Sequence, residues 1–243
     1  MHIWQANNAG GARSASLSAR LSAIAESLPR GGVVCDVGSD HGALPLFLLE
    51  NGWCRHAIVT DLNPEPLARA KAALTSAGIA HKAQFFLTDG ILDVISLSPD
   101  TFVIAGMGGE TIAGILSRAL DRIPLNTGFV LQPMSRAHLL RKFLYENGFS
   151  VEGEQAIGEN GKVFLIFRAR FDGVRRERDP EFYLVGEYLS QTKGEGASLY
   201  FEKRLAKVRS KIVGKEKAGF DVSLEKKEEA LYLSQLEAIN ENS

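Results

Sequence analysis

From Leu17 to Leu28 apolar residues recur at helical spacing (Leu17, Leu21, Ile24, Leu28), until Pro29 and Gly31-Gly32 close the run. Val33 to Val37 then forms a short, nearly continuous apolar stretch, the pattern of a strand buried on both faces. Ala43 to Glu50 predicts a helix with Pro45 in its first turn, where a missing N–H costs nothing. The same alternation continues with a strand over His56–Asp61, a helix over Pro64–Ala77 ending at Gly78, and strands over Gln84–Leu87 and Phe102–Ala105. A helix over Glu110–Leu120, a strand over Gly128–Gln132 and a helix over Ser135–Glu146 stopped by Gly148 complete it. Strands and helices in alternation with short links imply parallel strands with crossover helices, hence an α/β doubly wound sheet.

The end of this region breaks the rhythm. Ser150–Ala156 and Lys162–Arg170 are strand-like with no helix between them, and Glu159-Asn160-Gly161 supplies an Asn-Gly hairpin turn. Beyond Phe171, Arg175 to Pro180 is a polar junction. Two charged helical segments follow, about Ala197–Lys217 and Leu224–Asn240, in a stretch interrupted by Gly194, Gly196, Gly214 and Gly219. An antiparallel helical hairpin is the natural expectation. The chain therefore divides into a catalytic domain over 1–171 and a helical, coiled-coil-like domain over 172–243.

Composition narrows the function classes. The 243 residues carry 28 Lys and Arg against 29 Asp and Glu, a formal charge of -1, so a nucleic-acid surface would have to be a local basic patch. Cys35 and Cys54 are too far apart for a CxxC site, and neither a disulfide framework nor a metal site is expected. No apolar run is long enough to cross a bilayer, and the N-terminal sixteen residues lack the charged start and apolar centre of a signal peptide, which fits a cytoplasmic protein.

The candidate chemistry clusters where strands end. Gly38 and Gly42 flank Ser39-Asp40-His41 just after the first strand, and Asp61, followed by Leu62, closes the second strand at the remove suited to binding ribose hydroxyls. The dinucleotide fingerprint GxGxxG is absent. Asp36 adds an acid suited to an ammonium. This combination fits S-adenosyl-L-methionine, and the terminal hairpin resembles the seven-stranded, Rossmann-like methyltransferase version of the fold. Thr88-Asp89-Gly90 ends the third strand, where an acid can face an adenine amino group; capping a helix that begins near Ile91 is the alternative for Asp89. Ala105-Gly106-Met107-Gly108-Gly109 follows the fourth strand as a glycine loop with no Asn/Asp-Pro-Pro-aromatic motif, leaving backbone groups and Met107 to hold a base.

DVGSDHGALP (Asp36–Pro45), TDG (Thr88–Gly90), AGMGGETI (Ala105–Ile112), LQP (Leu131–Pro133) and ENGKVF (Glu159–Phe164) together resemble the bacterial tRNA (adenine-22-N1)-methyltransferase family, often called TrmK. The similarity runs from about Leu17 to Ala169. It implies S-adenosyl-L-methionine as cofactor and adenine N1 in the tRNA D-arm region as methyl acceptor. By position, Asp36, Gly38, Asp61, Asp89 and Gly90 become cofactor contacts, with Ser39, Gly42, Leu62, Ala105 and Gly106 beside them. Asp40, His41, Met107 and Gly108 line the acceptor side. Arg20 becomes an RNA or cofactor-carboxylate contact, and the helical hairpin helps to hold tRNA.

Methylation at N1 leaves the adenine cationic, and a carboxylate such as Asp40 would stabilise that charge as it forms. An N-cap of the Ala43 helix is the other reading of Asp40. The cluster Lys203, Arg204, Lys207 and Lys211 predicts a phosphate-tracking stripe, with a solvated helix face as the alternative. TDLNPEP (Thr60–Pro66) is closer to small-molecule and protein methyltransferases, which keeps those substrates open alongside a non-catalytic cofactor-binding RNA-binding protein.

Overall fold

A computed structural model describes residues 17–191 and 195–241, so the N-terminal sixteen residues and Gly194 lie outside the described residues. The strands are β1 (Val33–Val37), β2 (His56–Asp61), β3 (Ala83–Leu87), β4 (Thr101–Gly108), β5 (Gly128–Ser135), β6 (Phe149–Glu159) and β7 (Lys162–Phe171). They form one seven-stranded sheet in the order β3-β2-β1-β4-β5-β7-β6. All neighbours run parallel except β7, which slots antiparallel between β5 and β6. The Asn-Gly turn expected at the hairpin is present, with Asn160 at φ 49° and Gly161 at φ 71°, the left-handed pair that a tight two-residue turn demands.

Side chains alternate across the sheet, and each face has its own helices. Val34, Ala57, Val59, Val103 and Ile166 pack against α1 (Ala19–Glu26), α2 (Ala43–Glu50) and α3 (Pro64–Ser76) through Ile24, Leu48 and Leu74. On the other face Val37, Ile58, Phe102, Ile104 and Phe129 meet α4 (Gly109–Ala119) and α5 (Ala137–Glu146) through Ile112, Leu116, Leu140 and Leu144. Phe102 and Phe129 stack at 5.5 Å, and Phe149 closes edge-on against Phe129 at 5.3 Å. Cys35 and Cys54 are free thiols in this core.

A short helix, α6 (Pro180–Val185), leads to the antiparallel pair α7 (Glu195–Lys217) and α8 (Ser223–Glu241). Phe201, Leu205, Val208, Tyr232 and Ile239 belong to the same apolar cluster as Leu140 and Phe149, so the helical hairpin is packed onto the sheet's second face. Gly196 and Gly214 do not interrupt α7. At Gly196 a Cβ would collide with the backbone carbonyl of Ala156, so the glycine lets the helix start press directly on β6. Among the described residues no helix is long and apolar enough to cross a membrane.

Several boundaries move. The strands expected to end at Ala105 and Gln132 continue to Gly108 and Ser135, because β4 and β5 keep pairing through a bulge after Ala105. The helix expected from Ser135 starts at Ala137, after Arg136 takes a left-handed turn at φ 52°. No helix begins near Ile91; that segment is irregular until a single 3-10 turn at Ile95–Leu97.

Candidate active site

The carboxyl ends of the parallel strands open onto a cleft with two lobes, of about 710 and 550 Å³, that share Gly38, Asp40, Ala105 and Gly106 as a common wall. A third hollow of about 720 Å³ lies at the opposite end of the sheet, beside Thr101 and Gly128 at the starts of β4 and β5. In open α/β sheets ligands bind at the carboxyl ends, where the loops can carry function. That is also where the expected site residues gather.

The loop after β1 is anchored by backbone. The amides of Gly38 and Ser39 donate to the Thr60 carbonyl at 2.8 and 3.3 Å. Gly38 adopts φ +75°, and a Cβ there would lie 2.5 Å from the Met107 terminal methyl, so no other residue fits without displacing Met107. Gly42 adopts φ +69°, and its Cβ would fall 2.8 Å from Ala70, so the glycine lets α3 press directly on the loop. Gly42 is itself the N-cap of α2 and the cap has no side-chain hydrogen bond, so Asp40 does not cap it. Asp40 instead pairs with Arg69 at 3.0 Å and His41 at 3.3 Å, and both Asp40 and His41 are 67% exposed.

Asp36 is nearly buried at the end of β1. Burial pushes its carboxyl up to about 6; the Ser39 hydroxyl opposes this and the like charge of Asp61 adds to it. The Ser39 hydroxyl lies near enough to favour the charged form, yet Ser39 Oγ and Thr60 Oγ1 are both buried without a hydrogen-bond partner of ordinary geometry. A buried carboxylate facing a like charge, orphaned hydroxyls and a glycine cradle together suit a ligand that brings a cation and hydrogen-bonding groups.

In the larger lobe Asp61 closes β2, with one carboxylate oxygen taking the Asn63 amide at 2.8 Å, and Leu62 beside it is solvent-exposed. Asp89 and Gly90 line the same lobe. Asp89 pairs with Arg118 of α4 at 3.0 Å and caps no helix, while Asp93 takes the Thr88 hydroxyl. Met107, expected on the acceptor side, lies in this larger lobe over Gly38. Gly108 lines neither lobe; it is the N-cap of α4. Gly109 is demanded by packing, since a Cβ would sit 2.6 Å from the Arg136 carbonyl.

The smaller lobe is lined by Asp36, Ser39, His41 and Gly42, so the expected cofactor contacts Asp36, Ser39 and Gly42 lie apart from Asp61 and Asp89. Arg20 joins them there with residues to which the sequence pattern assigned no role. Glu159, Asn160, Lys162 and Phe164 come from the β6–β7 hairpin, Met134 from the end of β5, and Arg20 and Leu21 from α1. Because β7 runs antiparallel, its first residues land at the carboxyl end of the parallel strands. Arg20 is held three ways. Its amide donates to Glu159 Oε2 at 2.6 Å, its guanidinium donates to Gln132 Oε1 at 2.8 Å, and it lies 5.6 Å from the centre of the Phe164 ring. The motifs LQP and ENGKVF were the signal for these residues. Among the described residues no cluster of three or more His, Cys, Asp or Glu could hold a metal.

Comparison with known proteins agrees with this geometry. A methyltransferase-domain family matches residues 17–167. The tRNA (adenine(22)-N(1))-methyltransferase of Bacillus subtilis strain 168 is 30% identical over 184 residues, covering 73% of this chain and 76% of that protein. The crystal structure of the B. subtilis m1A22 tRNA methyltransferase TrmK superposes with a TM-score of 0.76 at 27% identity, covering 93% of this chain and 98% of the other. A Streptococcus pneumoniae relative solved in complex with S-adenosyl-L-methionine gives 0.74 at 26% identity, covering 93% and 99%. With the methyltransferase strand order, a methyltransferase-domain match over most of the chain and a relative of this identity and coverage, the chain belongs to the tRNA (adenine(22)-N(1))-methyltransferase family.

Proposed function

We propose that this protein transfers the methyl group of S-adenosyl-L-methionine to N1 of adenine 22 in tRNA. The observation that carries the proposal is the two-lobed cleft whose shared wall contains Asp40, a carboxylate between the larger, cofactor lobe and the smaller, acceptor lobe. The larger lobe would take the nucleoside. The smaller, which Asp36 and Ser39 also line, would take the cofactor's amino-acid end beside the target base. The cofactor, when bound, supplies an electrophilic methyl on a sulfonium. Asp36 would hold its ammonium, Ser39 and the loop amides its amino-acid end, Asp61 its ribose, and Asp89 with Gly90 its adenine. Adenine N1 attacks through its own lone pair, so no base has to remove a proton first. What the site must stabilise is the positive charge that develops on the acceptor ring, and Asp40 is the acid at the junction. Removing that charge while keeping the shape, as Asp40→Asn, is expected to lower kcat by about 100-fold. Cofactor affinity should change far less, and kcat within twofold of wild type, measured by methyl incorporation, would reject this role.

Residues 1–171 would carry the chemistry and 172–243 would help to hold the RNA. Lys203 of α7 donates to the Gly161 carbonyl, one residue from Lys162 in the acceptor lobe. Lys207 and Lys211 follow at four-residue spacing on the same helix and are exposed, so a line of cations leaves the lobe along α7. Lys211 also pairs with Glu225 of the neighbouring α8 at 2.7 Å. Arg204 takes no part in the line: its guanidinium is turned inward to Tyr232 at 2.9 Å and Glu228 at 3.3 Å. Lys162→Ala is expected to weaken tRNA binding and to reduce the slope of log K against log salt by about 1, as losing one phosphate contact does. An unchanged slope in a salt titration would remove Lys162 from the RNA path.

The defining experiment incubates unmodified tRNA with labelled S-adenosyl-L-methionine and maps the product by mass spectrometry. Label at N1 of adenine 22 is expected. Absence of label from every tRNA, in conditions where calorimetry shows the cofactor bound, would overturn the assignment.

A further inference from the structure

Gln132 stands in the carboxyl half of β5 with no exposed surface, where an apolar side chain would fill the same volume without desolvating an amide. Its carboxamide oxygen accepts two hydrogen bonds, from the Gly106 amide at 3.2 Å and from Arg20 Nη1 at 2.8 Å. These donors set the orientation of the amide, and its nitrogen faces only the Met134 sulfur at 3.5 Å.

The reason for a side-chain acceptor here is local. β4 bulges after Ala105, and the ladder between β4 and β5 slips past Gly106, which sits at φ +80°. Gln132 lies opposite Ala105 in the register, so its side chain bonds the amide of the residue at the bulge. That residue is part of the wall both lobes share. Arg20, the second donor, faces the acceptor lobe beside Phe164. One buried amide thus joins the wall beside the reacting centre to the cation of the acceptor lobe, without lining either lobe itself.

We infer that Gln132 is a positioning residue for methyl transfer, fixing the Gly106 peptide and Arg20 relative to each other so that acceptor and cofactor meet in line. The inference rests on the function proposed above. Gln132→Leu and Gln132→Met remove the acceptor and keep most of the volume; Gln132→Glu keeps acceptor oxygens for both donors. With wild type methylating adenine 22, the apolar variants are expected to lower the single-turnover rate about 100-fold, the scale of a misplaced reacting group. Their cofactor dissociation constants should stay within about threefold, and Gln132→Glu should recover at least a tenth of the wild-type rate. Combining Gln132→Leu with Arg20→Met should cost no more than the larger single loss, because both cut one network. A wild-type rate in a folded apolar variant would overturn the inference. So would failure of both apolar variants to fold, no rescue by glutamate, or fully multiplicative losses. A wild-type enzyme that leaves adenine 22 unmodified would instead overturn the function on which it rests.

Discussion

Glu154→Gln is expected to lower the melting temperature by about 10 °C, the largest stability loss of any single polar substitution proposed for this protein. Glu154 on β6 and Arg141 on α5 form a two-pronged ion pair, Nε to Oε1 at 2.8 Å and Nη2 to Oε2 at 2.7 Å, with both side chains fully buried. The third guanidinium nitrogen donates to the Tyr183 carbonyl on α6, so the pair also ties the approach to the helical hairpin onto the sheet. Burial works against the arginine's charge, but Glu154 outweighs it and holds the guanidinium above its usual range. Removing the carboxylate leaves a buried charge uncompensated, which costs about 3–5 kcal/mol. The double replacement Arg141→Met with Glu154→Leu removes both charges and should recover most of that loss. Scanning calorimetry decides the matter: a single variant melting within about 2 °C of wild type would contradict the account.

Asp36→Asn should produce opposite effects on stability and on binding. The carboxyl sits at about 6 in the folded protein against an ordinary value of 3.8, so the folded state holds the proton more tightly than the unfolded chain. Between those values the native state binds more protons, and the stability this group contributes at low pH is lost as pH rises from about 4 to 6. Above that window the ionised, buried carboxylate destabilises the ligand-free protein by roughly 3 kcal/mol. Asparagine cannot ionise, so at pH 8 the ligand-free variant should melt higher than wild type by several degrees, and the advantage should vanish near pH 4. Binding should move the other way. Without the charge that meets the ammonium, affinity for S-adenosyl-L-methionine should fall about 100-fold by titration calorimetry. In the wild type the affinity should weaken as pH drops through about 6. A ligand-free variant less stable than wild type at pH 8, or one that binds the cofactor normally, would refute the role.

Much of this was legible in the chain. Val33–Val37 and His56–Asp61 are strands with the expected bounds, since a short apolar run between glycine or polar breaks leaves little choice of register. The cofactor loop was legible because Asp36, near the end of β1, and Gly38, the first residue past it, lie within three consecutive positions. The acceptor lobe was less so. Arg20, Met134, Glu159 and Lys162 reach it from segments far apart in sequence, and only the antiparallel return of β7 brings the hairpin turn to the carboxyl end of the parallel strands. The bulge that carries Met107 to the cofactor lobe was hidden for a similar reason. Three glycines around a methionine suggest a free loop, whereas pairing with β5 keeps them in a strand until Gly108.

By itself the sequence determined what local chemistry determines: the alternation of strands and helices, the Asn-Gly hairpin, the glycines at left-handed turns and the acids at strand ends. Each of these follows from backbone sterics and hydrophobic period within a window of a few residues. The tertiary structure alone decided what each charged group meets. Asp40 meets Arg69, Asp89 meets Arg118 and Arg204 meets Glu228, while Asp36 is buried beside a like charge. Those outcomes depend on burial and on distances between residues remote in the chain, which set the electrostatic energy of each group and which no local pattern encodes.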